Sequence, residues 1–172
     1  MDDLKSMKSK CCCFTGHRKL PEGQRAEIMA KTEAEVRKLL SGGINRFLVG
    51  GAVGYDMEVA KLLFRLKNEC PDIRVVLIYP FDGYSDRWND AQKAEYAELL
   101  PQYDEAIRAS ERSGRDAYLL WNRLLVDGAS VCIAYCHKQR SGTAYTVKYA
   151  KEWGLDVVNV ASVVAAEDKG LP

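Results

Sequence analysis

The sequence predicts a Rossmann-like three-layer α/β/α sandwich: one domain on a mostly parallel sheet, with helices on both faces. Three observations carry the prediction. Short apolar runs alternate with stretches of helical periodicity along nearly the whole chain. The runs are unbroken rather than alternating apolar and polar, as in "IRVVLIYP" (73–80), and such strands are covered on both faces. Each run stops at glycine, proline or a polar cluster, where a parallel sheet presents its carboxyl edge.

"CCCFT" (11–15) is a buried strand ending at Gly16. "EGQRAEIMAKTEAEVRKLL" follows Pro21 as a helix with Ile28, Ala34, Leu39 and Leu40 on its apolar face, and "SGG" (41–43) stops it. "RFLVGG" (46–51) is a second strand. "YDMEVAKLLFRLKNE" is a helix with Val59, Leu62, Leu63 and Leu66 at helical spacing, ended by Pro71. Residues 73–80 form the third strand. "WNDAQKAEYAELLPQ" reads as a helix and "EAIRAS" (105–110) as a short strand. "RDAYLLWNRLLVDGA" is a helix with Leu119, Leu120, Leu124 and Val126 as its apolar face; Arg123, on an otherwise apolar stretch, is expected to point inward. "SVCIAYC" (130–136), "GTAYTVKYAKEWG" and "DVVNV" (156–160) complete the series as strand, helix and strand. The domain is expected to span residues 10–160, with an N-terminal extension (1–9) and a C-terminal tail (161–172).

A chain of 172 residues builds one core. Its formal net charge of +1 gives no global pull toward nucleic acid or an anionic membrane, so neither is the expected partner. No apolar run approaches the roughly 20 residues of a membrane span. "MDDLKSMKSK" lacks the apolar region of a secretory signal, and a cytoplasmic location is expected. The six cysteines are Cys11, Cys12, Cys13, Cys70, Cys132 and Cys136. They lack the repeated pairing of a zinc site, and three adjacent cysteines on a strand alternate sides. They are read as core residues, with no metal site assigned.

Function is expected at the carboxyl edge. After the first strand come Thr15, Gly16, His17 and Arg18; after the second Gly50, Gly51, Ala52, Gly54 and Asp56; after the third Pro80, Phe81, Tyr84, Arg87 and Trp88; after "SVCIAYC", Ser141, Gly142 and Thr143. "GGAVGYD" lets backbone N–H groups approach an anion at a helix N-terminus, although the same glycines would serve a simple tight turn. It is neither G-x-G-x-x-G nor a Walker A loop. "RSGT" makes a second such junction; Ser141 or Thr143 would also serve as a plain helix cap. Asp56 either caps its helix or accepts from a ligand hydroxyl. Arg18 suits a phosphate, Tyr84 and Trp88 a nucleobase or ordinary packing, and Asn122 and Arg123 a polar contact. Two glycine–hydroxyl cradles on one edge point to a phosphorylated small molecule such as a nucleotide.

The segments "FTGHRKL", "GGAVGYD", "YPFDGYSDRW", "NRLLVDGASVCIAY" and "SGTAYTVKYA", in this order, resemble the YpsA-like family of the superfamily that joins DprA/Smf and the LOG proteins (SLOG). The resemblance implies a Rossmann-like fold binding a nucleotide or a nucleotide-derived ligand such as ADP-ribose, with no assigned catalysis and no certain cofactor. It places Gly50, Gly51, Gly54 and Asp56 in the first ligand loop, Gly142 and Thr143 in the second, and Thr15 to Arg18 after the first strand. LOG phosphoribohydrolases carry a glutamate where Thr146 stands here. A nucleotide N-glycosidic hydrolase is therefore the alternative, with Asp56, Glu58 or Asp86 as substitute carboxylate. A DprA-like single-stranded DNA-binding module is the second alternative. An exposed apolar helix face would suit a homodimer.

Overall fold

Strand β1 (Cys11–Gly16) is apolar on both sides and takes a central position in the sheet. The computed structural model describes residues 7–161. After β1 come α1 (Glu22–Ser41), β2 (Arg46–Val49), α2 (Tyr55–Glu69), β3 (Arg74–Tyr79), α3 (Asp90–Leu99) running into a 3-10 turn (Leu100–Gln102), β4 (Glu105–Arg108), α4 (Arg115–Asp127), β5 (Val131–Tyr135), α5 (Gly142–Glu152) and β6 (Asp156–Asn159). The strand order is β4-β3-β2-β1-β5-β6 and every pairing is parallel. The expected fold class is the observed one. The expected 161–172 tail lies outside the described residues apart from Ala161, as does most of the 1–9 extension.

The topology fixes where a ligand can bind. The chain winds outward from β1 through β2 and β3 to β4, then crosses back over the sheet to β5 on the other side of β1. The loops leaving β1 and β5 therefore diverge, to opposite faces of the sheet, and open a crevice between their carboxyl ends.

Two cores flank the sheet. Cys12 and Phe14 join Ile28 and Val36 of α1 and Val59, Leu63 and Leu66 of α2 on one face. Cys11 and Cys13 join Trp121, Leu125 and Val126 of α4 and Ala150 of α5 on the other. The three adjacent cysteines are at most 2% exposed, split between the two cores by strand alternation, and fill space as small apolar residues. Burial pushes the Cys12 thiol well up; a hydrogen bond with Cys132, together with burial, does the same to Cys13.

The structure corrects two helix faces. The buried residues of α4 are Ala117, Trp121, Leu125 and Val126, whereas Leu120 is 43% exposed and Leu119 and Leu124 lie at the margin. Apolar residues occupy nearly the whole circumference of this helix, so periodicity alone does not set its rotation. Trp121 sets it, by filling the space beside Gly50 and donating its indole N–H to the Ile78 carbonyl at 2.6 Å. In α1 the expected Ala34 is exposed, and Thr32 takes the inward place between Ile28 and Val36. Its hydroxyl bonds the Ile28 carbonyl and the Tyr55 hydroxyl, the latter at 2.7 Å. A polar residue enters the core there because both its hydrogen-bonding roles are filled.

Helix ends follow local chemistry. Asn89 and Gln92 form a reciprocal capping box on α3. Ser141 caps α5, its hydroxyl accepting from the Ala144 N–H at 3.0 Å. Helix α2 has no side-chain cap: its Tyr55 N–H donates to the carbonyl of His17 at 3.2 Å, in the loop after β1.

Candidate functional site

A cleft of about 920 Å³ opens at the crevice between β1 and β5. The β1–α1 loop supplies Gly16, His17, Arg18, Lys19, Leu20 and Pro21, above Phe14 and Thr15 of the strand. Ala52 and Asp56 come from the second loop and α2; Tyr118, Trp121, Asn122 and Leu125 from α4; His137, Lys138, Ser141, Gly142 and Thr143 from the loop after β5 and the start of α5. Segments far apart in sequence thus meet around one space of the size small-molecule sites have.

Of the residues singled out in the sequence, Thr15, Gly16, His17, Arg18, Ala52, Asp56, Asn122, Ser141, Gly142 and Thr143 come together as lining. Gly50, Gly51 and Gly54 lie behind that lining and shape it. Gly54 has φ +89°, and a β-carbon on it would stand 2.2 Å from the carbonyl oxygen of Arg18, so glycine is what lets the two loops touch. A β-carbon on Gly50 would stand 2.7 Å from the Trp121 ring and 2.8 Å from Asp56 Oδ2, so its absence makes room for both. The Gly51 carbonyl accepts from the Tyr84 hydroxyl at 3.0 Å.

The third loop is placed differently. Pro80 is buried, and its carbonyl accepts from the Ser110 N–H. Tyr84 is buried, packing edge-on against Trp88 and Tyr96 and tilted against Trp121. Phe81 packs edge-on against Tyr84 and Tyr118. Phe81 and Tyr84 line a separate cavity of about 450 Å³, and Arg87 is exposed outside the cleft lining. This aromatic group buttresses Trp121 from behind. Arg123 does not point inward. It is exposed on α4, donates to the Tyr145 hydroxyl at 3.2 Å and lies over the Tyr149 ring, because two residues past Trp121, roughly 200° around the helix, turn it to the α5 side.

Sequence reasoning passed over Trp121 and Tyr118 as lining. The available signal was spacing: Tyr118 lies three residues before Trp121 and four before Asn122, and Trp121 lies four from both Ala117 and Leu125.

Asp56 is the buried acidic residue among the described residues, 6% exposed. Its Oδ2 accepts from the Ala52 N–H at 3.2 Å, and its Oδ1 is buried with no hydrogen-bond partner. Burial raises its pKa to about 7, against the smaller opposing effects of the Ala52 N–H and the Arg18 charge. The other carboxylates named from the sequence are elsewhere: Glu58 pairs with Arg25 at 3.2 Å, and Asp86 is exposed beside Gly83. Thr146 is 1% exposed, and its hydroxyl donates to the Gly142 carbonyl one turn back at 3.0 Å.

His17 is 7% exposed. Its Nε2 accepts the His137 backbone N–H at 3.0 Å, which puts the ring proton on Nδ1. Burial, aided by His137 and Lys138, lowers its pKa to about 4, so the ring is neutral at physiological pH and its Nε2 clamps the loop after β5.

These two groups make opposite contributions to stability. The unfolded chain takes up a proton at His17 below about pH 6.5 that the folded chain refuses until about 4, so stability falls as pH drops through that window. At Asp56 the folded chain holds a proton that the unfolded chain loses near 3.8, so stability falls as pH rises from about 4 to 7. The Asp56→Asn variant, freed of the second effect, is expected to gain melting temperature relative to the parent as pH rises from 5 to 7.5. Scanning calorimetry of both chains across that range checks it, and a pH-independent difference refutes it.

The fold defines a Rossmann-like protein with an open cleft at the strand-order switch point. The model of the YspA SLOG family matches residues 14–159, and the chain belongs to that family. Among curated relatives, the UPF0398 protein of Staphylococcus epidermidis is 29% identical over 114 residues, covering 64% of this chain and 61% of the relative. That of Bacillus pumilus is 24% identical over 129 residues, covering 73% and 69%. The aligned part of this chain thus spans about 61% of the length of the staphylococcal relative. Among solved structures, DNA processing protein A from Streptococcus pneumoniae superposes with a TM-score of 0.62 at 18% identity, covering 90% of this chain and 50% of that one. The Helicobacter pylori protein, described for its single-stranded DNA binding mode, superposes with a TM-score of 0.59 at 16% identity, covering 91% and 67%. At these identities the likeness is one of fold. Among the described residues no helix is long and apolar enough to cross a membrane.

Proposed function

We propose that the chain binds a nucleotide or a nucleotide-derived, phosphate-bearing ligand of the ADP-ribose kind in the switch-point cleft, as a binding or sensing protein. One observation carries the reading: the cleft joins a cationic, N–H-rich end to a buried carboxyl. The cations are Arg18 and Lys138, which line it with Ser141, Gly142 and Thr143 of the first turn of α5; Asp56, within the field of Arg18, lies near Gly50 as the Trp121 ring does. A phosphate is favoured at the first, through guanidinium, ammonium and helix-terminal N–H groups. A sugar or base is favoured near the second, against tryptophan.

The hydrolase alternative has Asp56 as its buried carboxyl, since Thr146 is committed to its own helix. A second reading, single-stranded DNA along the same rim, is favoured by the fold shared with DNA processing protein A and by Arg18, Lys19 and Lys138 together. Titration calorimetry against AMP, ADP-ribose and NAD is expected to show at least one ligand bound below millimolar. Binding of none overturns the nucleotide reading, and a salt-dependent shift of single-stranded DNA without nucleotide binding favours the second. Release of free base from a bound nucleotide establishes the hydrolase.

A further inference from the structure

Asp56 poses a problem the protein leaves unsolved. Its side chain lines the cleft, yet Oδ1 is shut off from water and takes no hydrogen bond. A buried polar atom without a partner is rare in native structures and marks a place where something is missing.

Among the described residues, nearby hydroxyl and indole donors are engaged elsewhere. Tyr84 spends its hydroxyl on the Gly51 carbonyl, and Tyr55, on the same helix, shares its hydroxyl with Thr32. Trp121 gives its N–H to Ile78, away from the carboxyl. Arg18, on the β1–α1 loop, is the cation whose field reaches Asp56, and its side chain is exposed.

We infer that Asp56 reads a free sugar hydroxyl of the ligand, so that the cleft selects ribonucleotides over their deoxy and dideoxy forms. This rests on the nucleotide reading given above. A phosphate fits the place only while Asp56 is protonated, because the ionised carboxyl repels it in a site shielded from water. A hydroxyl fits in either state, because it donates to an ionised carboxyl and accepts from a protonated one. An internal DNA nucleotide has no 2′-hydroxyl and its 3′-oxygen is esterified, so DNA in the cleft would leave Oδ1 as unpaired as it is now.

The test compares AMP with 2′,3′-dideoxy-AMP, which share base and phosphate, by calorimetry on the full chain and on its Asp56→Asn and Asp56→Ala variants. Loss of the hydroxyls is expected to weaken binding to the parent by roughly 10- to 100-fold, the range of a hydrogen bond to a charged group. Asp56→Ala is expected to bring the ratio of the two affinities close to one, and Asp56→Asn, which keeps one acceptor, to fall between. Should the alanine variant fail to fold, the parent ratio and the asparagine variant still decide the matter. Equal binding of both ligands by the parent overturns the inference and leaves the nucleotide reading standing. So does a hydroxyl preference that persists undiminished in both variants, or a loss caused by changing the base instead of the sugar. Failure of AMP, ADP-ribose and NAD alike to bind removes the nucleotide reading, and the inference falls with it.

Discussion

The Gly54→Ala chain is expected to lose roughly 10 °C or more of thermal stability, or to fail to accumulate as folded protein. Gly54 has φ +89° and ψ −124°, a conformation outside the regions open to residues with a β-carbon, and such strain costs about 1–3 kcal/mol by itself. The added methyl would then stand 2.2 Å from the Arg18 carbonyl oxygen and 2.4 Å from its carbon. Those are backbone atoms, so no rotamer change relieves the overlap. One loop must retreat, and the Tyr55 N–H to His17 carbonyl bond that starts α2 goes with it. Together these reach about 3–5 kcal/mol, and each kcal/mol moves the midpoint by about 2–4 °C in a domain of this size. Gly23→Ala is the matched control: its β-carbon meets nothing within 4 Å, it lies in α1, and the change should be neutral or slightly stabilising. Circular dichroism melts of the three chains decide the point. A Gly54→Ala midpoint within about 2 °C of the parent would mean that the two loops are not locked together.

The Gly142→Asp chain is expected to fold as well as the parent and to lose phosphate-bearing ligands by roughly 100-fold or more. A β-carbon at Gly142 meets nothing within 4 Å, and the residue opens α5. An acidic side chain in a first helical turn is favoured by the helix dipole, so the midpoint should hold or rise slightly. The same charge stands at the end of the cleft assigned to phosphate, where like charges brought together cost several kcal/mol. Gly142→Ala keeps the backbone and adds no charge, and should bind nearly as the parent does. Calorimetry with the tightest of the three nucleotide probes, beside a melt, separates the outcomes. Parent-like affinity in Gly142→Asp would take the phosphate away from α5.

These predictions depend on features of unequal legibility in the sequence. Strand and helix order was readable throughout: residues 55–69 are the expected helix without adjustment, and even the short strand near 105 is present. The residues leaving β1 and β5 were readable as cleft lining because the carboxyl edge of a parallel sheet is where its loops expose polar groups. The third loop misled. Tyr84 and Trp88 carry the aromatic rings a nucleobase would want, but the same rings bury more surface by packing with Tyr96 and Trp121. Arg123 misled for the opposite reason, since α4 is apolar over so much of its surface that its rotation was ambiguous.

The chain's own residue pattern determined the parallel α/β/α architecture, because unbroken apolar strands separated by amphipathic helices have few other ways to bury their surface. It determined as well that polar loops follow those strands. Tertiary structure decided which loops share a space: β1 and β5, distant in sequence, became neighbours when the chain crossed back over the sheet. It also decided that Asp56 is buried near Gly50 with one oxygen unpaired. Solvent exclusion and the lack of a donor depend on atoms contributed by four separate segments, and no local pattern encodes where those segments meet.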